Sequence, residues 1–233
     1  MSLSTLLDAV EHRRKSITVY DGDSDLKAQF AGRNVTVETR QRPMGSPNSF
    51  AVFRDEDGYL GAVSLPMLES LLKPPIRRPW DLDSLEDGYR ALFELLDDTL
   101  FASLDRRQLL AATREIEDRA WRVGYGTLHA GFQSIDTFEA QTPVYSRLAS
   151  ETALDIHIYA ATDAPPAAEP GVTFHTEPAD EIGRFWFLAF DGGGDDDEQA
   201  CALVAEEVEP DAYSGFWTYD PALVADVVRL IHI

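Results

Sequence analysis

"EIEDRAWRVGYGTLHAGFQ", residues 115–133, opens as one of the most charged helices of the chain and closes in glycines, a histidine, an aromatic and a glutamine. Its two halves follow different periods. From Leu109 the apolar positions run Leu109, Thr113, Ile116, Ala120 and Val123, a single helical stripe. Glu115 precedes Arg119 and Asp118 precedes Arg122, the favourable order for acid–base pairs four apart on a helix surface. Such pairs stabilise a helix weakly and are expected on the face opposite the stripe. A catalytic carboxylate pair in "EIED" would need a nucleophile beside it, and none stands there. Gly124 is expected to cap the helix. Beyond Gly126 the period becomes two, with Leu128, Ala130 and Phe132 on one face and Thr127, His129, Gly131 and Gln133 on the other. Gly131 leaves a notch between an imidazole and an amide, a candidate place for a small polar ligand. The plain alternative is a strand whose polar face bonds neighbouring helix ends.

A helix running straight into a strand indicates a mixed α/β (α+β) chain, and the flanks agree. "SLSTLLDAVEHR" reads as a helix capped by Ser2 or Ser4. "ITVYD" and "NVTVETR" are β-rich, with a helix-like "DSDLKAQFAG" between them. "QRPMGSPN" is a loop, and "SFAVFRDEDGYLGAVSL" a hairpin turning at Asp57-Gly58, followed by the short helix "PMLESLL". "KPPIRRPW" is a linker, and residues 82–124 are expected to be helical.

The last third repeats this plan. "VYSRLASE" is a helix, "LDIHIYAATD" stands where "ITVYDGDSD" stood, and "GVTFHTEP" where "NVTVETR" stood. "RFWFLAFDGGGDDDEQACALVAEE" echoes the first hairpin, and "PALVADVVRLI" echoes "PMLESLL". The expectation is an internal duplication: two similar small mixed-sheet units of four or five strands, joined by central helices. The organisation is then an N-terminal α/β unit at 1–75, a linker and first central helix at 76–95, and a second unit at 96–233.

Composition bounds the function. The 233 residues carry 41 Asp+Glu against 20 Lys+Arg, a net charge of -21. Lysine occurs only at positions 15, 27 and 73, and the apolar fraction of 44% is that of a folded protein. A surface this acidic repels itself in dilute buffer and is screened in molar salt, which points to the cytoplasm of a salt-accumulating organism. The short runs "HRRK" and "IRRPW" make no basic stripe, so nucleic acid is excluded as a direct partner. No apolar run is long enough to span a bilayer, and the N-terminus has no signal-peptide core, so no membrane partner and a cytoplasmic location are expected.

Catalytic signatures are missing: there is no G-x-S-x-G, no P-loop and no H-E-x-x-H, and "GYGTLHAG" has the wrong spacing for a dinucleotide loop. "DGGGDDDE" lacks the alternation of a calcium loop and reads as a solvated turn. His157 and His175 fall on one face of neighbouring strands, but two histidines without a third ligand do not make a metal site. The single cysteine, Cys201, lies in the apolar run "ACALVA" and is expected in the core. No catalytic residue, metal or cofactor is therefore assigned. In "GFWTYDP", Trp217 and Tyr219 share one side of a strand and form either core or a docking surface. The candidate ligand-binding set is His129, Gln133, Trp217 and Tyr219, expected to line a common concave site.

"LLAATREIEDRAWRVGYGTLHAGFQ", "VYSRLASETALDIHIYAATD", "FWFLAFDGGG", "CALVAEE" and "GFWTYDPALV" together resemble the DICT domain, here in what looks like its haloarchaeal, stand-alone form. The resemblance covers residues 96–233. It implies a non-enzymatic sensory or regulatory module with light- or ligand-linked input, acting through signalling proteins such as kinases or transcription regulators. It brings no catalytic residue set and no ligand identity. The competing expectation is a small enzyme acting on a polar metabolite in a cleft between the halves.

Overall fold

The computed structural model describes residues 2–21, 34–45, 48–72, 93–161, 170–176, 182–194 and 197–231. The helix expected at 23–32, the linker at 73–80 and the helical stretch at 82–92 lie outside the described residues.

The chain opens with helix α1 (Leu3–Glu11), where Ser2 Oγ accepts the Thr5 N–H at 3.2 Å, as a helix cap should. Strands β1 (Lys15–Tyr20), β2 (Val35–Arg40), β3 (Phe50–Arg54) and β4 (Tyr59–Ser64) form a four-stranded sheet in the order β2-β1-β3-β4. β1 runs parallel to β2 and antiparallel to β3. The β3–β4 turn is closed by Asp55, whose Oδ1 accepts the Asp57 and Gly58 N–H groups at 2.9 Å each. Helix α2 (Leu65–Leu72) packs back on β3 and β4.

The second sheet is built from β5 (Phe101–Asp105), β6 (Tyr125–Phe132), β7 (Ala153–Ala160), β8 (Val172–His175), β9 (Phe185–Phe190), β10 (Cys201–Glu209) and β11 (Ala212–Thr218). Its order is β5-β11-β10-β9-β6-β7-β8, with β6, β7 and β8 parallel and the rest antiparallel to their neighbours. Helices α3 (Arg106–Val123), α4 (Ile135–Glu139), α5 (Thr142–Glu151) and α6 (Pro221–Ile231) complete the described α-helices, and two 3-10 turns flank β9 at Ile182–Arg184 and Asp197–Gln199. α3 covers one face, packing on β5, β6, β9, β10 and β11, while α1 and α6 cover β9 to β11 on the other.

Mixed α+β architecture with two mixed sheets is as expected, but the second sheet has seven strands, not four or five. The additional edge strand β5 lies in the segment read as helix. It is recruited by antiparallel pairing of Leu104 with Tyr213, a contact across more than a hundred residues that no local pattern announces. Its last residue, Asp105, then caps α3 through a capping box with Gln108.

Strand order also corrects the repeat as drawn. That alignment set β1 against β7 and β3 against β9. β1 and β3 are neighbours, whereas β6 separates β7 from β9, so residues 16–72 and 155–231 do not share a strand order. The pattern of a parallel pair followed by an antiparallel hairpin recurs one strand earlier, in β7-β6-β9-β10. Nor is the 1–75 unit self-contained. Leu3, Leu6, Leu7 and Val10 of α1 are buried with Phe185, Phe187, Phe216 and Val224, in the core under the seven-stranded sheet. A second core runs from Ile17, Val19 and Phe53 of the small sheet through Phe93 and Leu96 to Ile116, Leu188 and Trp217.

Candidate functional site

α3 ends as expected, with Gly124 at φ 75° and its N–H on Ala120 O. The charged face does not lie in solvent. Arg114, Glu115, Glu117, Asp118 and Arg119 are all buried. Arg114 pairs with Glu117 and donates to Gln141 Oε1 in α5's cap, while Arg122 Nε reaches Asp118 at 2.9 Å. Arg119 lies over the Tyr219 ring, 4.3 Å from its centroid. Burial first, and the Glu117 charge second, hold the Tyr145 phenol well above its ordinary pKa. Elements on several sides cover this helix, so the face opposite its apolar stripe meets protein instead of water.

The histidines form a row on the other face of the seven-stranded sheet. His129 is buried, 3.2 Å from Tyr159 OH through Nδ1, and stands opposite His157. His157 Nδ1 lies 2.9 Å from His175 Nε2, on one face as expected. Among the described residues no group of three or more His, Cys, Asp or Glu is assembled to hold a metal ion. The notch at Gly131 is filled: a Cβ there would lie 2.1 Å from Phe187 Cε1. Gln133 donates to Glu207 Oε2 at 2.7 Å at the sheet's end. Cys201 is buried in the core, which pushes its thiol up to about 12.

Trp217 belongs to the opposite core, stacked on Phe101 and tilted against Phe93, with its Nε1 donating to Phe93 O at 3.0 Å. His129 shares its face with Tyr159, whose ring belongs to the α1/α6 core, so the sheet separates His129 from Trp217. The four expected residues therefore do not line one site. Trp217 and Tyr219 instead frame a different place, the junction of the two sheets.

There a cleft of about 300 Å³ opens between three short segments. Arg13, Arg14 and Lys15 form one wall at the entry to β1; Asp55, Glu56 and Asp57 come from the β3–β4 turn; Glu94, Asp97 and Asp98 come from the segment before β5. Asn34 binds these parts together. Its buried Nδ2 donates to Arg13 O at 2.9 Å, Asp98 O at 2.8 Å and, more weakly, Val10 O at 3.3 Å, and its Oδ1 accepts the Leu100 N–H at 2.9 Å. Asp98 is held in the left-handed region at φ 52°, a costly conformation for a residue with a Cβ, and its N–H reaches Trp217 O at 2.9 Å.

The electrostatics of the cleft are unbalanced. Arg13 forks between Asp98 and Asp220, and Lys15 Nζ donates to the Asp97 backbone carbonyl. Burial lowers the Lys15 ammonium pKa against the pull of Asp97 and Asp98. Asp97 is raised to about 6, by burial first and by the Asp98 charge second, although the Tyr219 N–H donates to its Oδ1 at 2.9 Å. Perturbed groups converging in a cleft make it a candidate functional site. Sequence reasoning missed Asn34, Asp97 and Asp98, whose chemistry depends on three segments meeting. The "GFWTYDP" motif was the one signal close to it, through Tyr219 and Asp220.

A mixed α+β fold carrying a charged cleft at the junction of its two sheets describes the class. Residues 90–208 match the family described as DICT, a sensory domain in diguanylate cyclases and two-component systems, and the chain belongs to that family. The match begins within the segment leading to β5 and ends in β10, short of the 96–233 span expected. Comparison with the curated proteins finds no match. Among solved structures, the polyphosphate kinase from Porphyromonas gingivalis aligns at 10% identity with a TM-score of 0.39, over 99% of this chain and 47% of that one. This chain thus spans about half of that protein's length, and a likeness so slight carries no argument.

Proposed function

We propose that this chain is a non-enzymatic sensory module that takes its signal at the junction cleft and passes it to separate signalling proteins, such as kinases or transcription regulators. Membership of a sensory family over residues 90–208 is the observation that carries this reading. The cleft supports it as the input point, since its walls come from the small sheet's entry, a hairpin turn and the segment before β5. A ligand there would bias how these parts sit against each other. No helix among the described residues is long and apolar enough to cross a membrane, which fits a cytoplasmic module. The net charge of -21 fits a salt-accumulating, archaeal host.

Of the residues first singled out, Tyr219 takes part through its N–H on Asp97 and Trp217 through its carbonyl on Asp98. His129 and Gln133 stand apart from the cleft, His129 beside Tyr159 and Gln133 bonded to Glu207. The alternative of a small enzyme in the same cleft is favoured by one observation, the raised Asp97 beside Lys15, which is how general acids are tuned.

The test is capture from host lysate in molar KCl with tagged wild type and with Arg13→Ala, which frees Asp98 and Asp220. Wild type is expected to retain a kinase or transcription regulator, and the folded variant to retain much less. Equal retention by both refutes input through this cleft. Turnover of a metabolite without any retained partner establishes the enzyme.

A further inference from the structure

We propose that β4 is a docking edge for a second copy of this chain, which pairs antiparallel with its own counterpart about a two-fold axis at Ala62. The proposal does not depend on what the junction cleft binds.

Strand β4 ends the four-stranded sheet, and among the described residues no strand pairs with its far side. Residues 59–65, "YLGAVSL", hold no charge, in a chain whose net charge is -21. Tyr59 is 66% exposed and Leu60 38%, and Ala62 and Ser64 are exposed as well. An uncovered apolar edge is a template for pairing, and charged side chains are a usual guard against it. β2, the opposite edge of the same sheet, is guarded in this way by exposed Glu38 and Arg40. β4 has no such guard.

The backbone sets the register that a partner takes. The Leu65 N–H donates to Ser49 O at 3.1 Å, and the ladder continues with Phe50 opposite Ser64, Ala51 opposite Val63 and Val52 opposite Ala62. Bonded and non-bonded pairs alternate along an antiparallel ladder. With the 49–65 pair bonded, Gly61 and Val63 direct their N–H and C=O groups to β3, while Ala62 and Ser64 turn theirs outward. A copy laid antiparallel with Ala62 opposite Ala62 meets these outward groups: the two alanines exchange both bonds, and Leu60 faces Ser64 on either side. The residues that meet across the axis also share a face, and they are small or apolar.

Charge selects the occupant. The Asp55–Asp57 turn lies five residues from the axis, so the two-fold places the turns of the two copies about 30 Å apart, at opposite ends of the shared ladder. That exceeds the screening length of about 10 Å at 0.1 M salt. Two strongly acidic chains can therefore meet along this strand without bringing these acids together. The chain itself supplies the matching strand, uncharged and small at its centre. A six-residue strand pair falls short of the roughly 1,200 Å² of a stable interface, so the dimer is weak and reversible.

The test is sedimentation equilibrium of the full chain in molar KCl, from micromolar to millimolar concentration. The mass is expected to rise with concentration from 25.9 kDa toward twice that value. Ala62→Pro removes only an outward N–H, which an edge strand tolerates, and should weaken association at least tenfold with the fold intact by circular dichroism. Ala62→Cys reads the register whatever the fate of that variant. With native Cys201 buried, mild oxidation should cross-link Ala62→Cys to itself, and leave Thr36→Cys, exposed on β2, uncross-linked. A folded Ala62→Pro that associates as well as wild type overturns the proposal, as does Ala62→Cys cross-linking no more than Thr36→Cys. A wild type that stays monomeric overturns it too. If that monomer retains a different protein from host lysate and loses it in Ala62→Pro, the edge belongs to another partner.

Discussion

Asp97 concentrates the physics of the cleft in one side chain. A carboxyl that titrates near 6 in the folded chain, against 3.8 ordinarily, binds its proton more tightly when folded. Its contribution to stability is therefore complete below about pH 3.8 and is lost as pH rises through 6. Asp97→Asn keeps an acceptor for the Tyr219 N–H and removes this loss. The variant should gain on wild type between pH 4 and pH 6.5 by roughly 1–3 kcal/mol, and hold a constant advantage above that range. Urea denaturation across pH checks this, and parallel curves for the two proteins would show that Asp97 titrates normally. Gly131 makes the opposite kind of prediction. It is needed because Phe187 occupies the space beside its Cα, not because a ligand does. Gly131→Ala should cost about 1–3 kcal/mol through overpacking, and Phe187→Leu in the same chain should restore part of it. A stable Gly131→Ala protein would mean that the notch is open.

Among the elements, α3 departs furthest from its surface appearance. Arg114 and Glu117 form a buried pair, and such a pair is costly to break yet cheap to replace as a whole. Arg114→Met alone strands the Glu117 carboxylate and should cost about 3–5 kcal/mol. Arg114→Met combined with Glu117→Leu should come within about 1–2 kcal/mol of wild type or exceed it. Thermal melts of the three proteins measure the coupling, and additive losses would place the pair in solvent. The stripe from Leu109 to Ala120 was legible because it repeats at the helical period. The burial of the charges opposite it was not, because Gln141, Glu94 and Tyr219 come from three other segments. The same holds for Gly131, whose role is set by the strand facing it in register.

At the scale of the molecule, the net charge of -21 sets the response to salt. Self-repulsion is screened over about 10 Å at 0.1 M and about 3 Å at 1 M. The melting midpoint should therefore rise steadily as KCl goes from tenths molar to molar. A midpoint flat over that range would mean that the acids are spaced too widely to repel, and the halophilic reading would fall.

Composition, the two periods within residues 115–133 and the glycine cap were enough, without coordinates, to specify a mixed helix-and-strand chain, its hairpins and the site where α3 becomes β6. Those features are local: each depends on neighbours within a turn or two, and short-range sterics and burial decide them. Strand order, the edge strand β5, the side of the sheet on which His129 and Trp217 lie, and the cleft built by Lys15, Asn34, Asp97 and Asp98 were decided only in the tertiary structure. Each of these requires segments distant in sequence to meet. The free energy that selects them comes from pairing and desolvation across the whole chain, which no single stretch of residues contains.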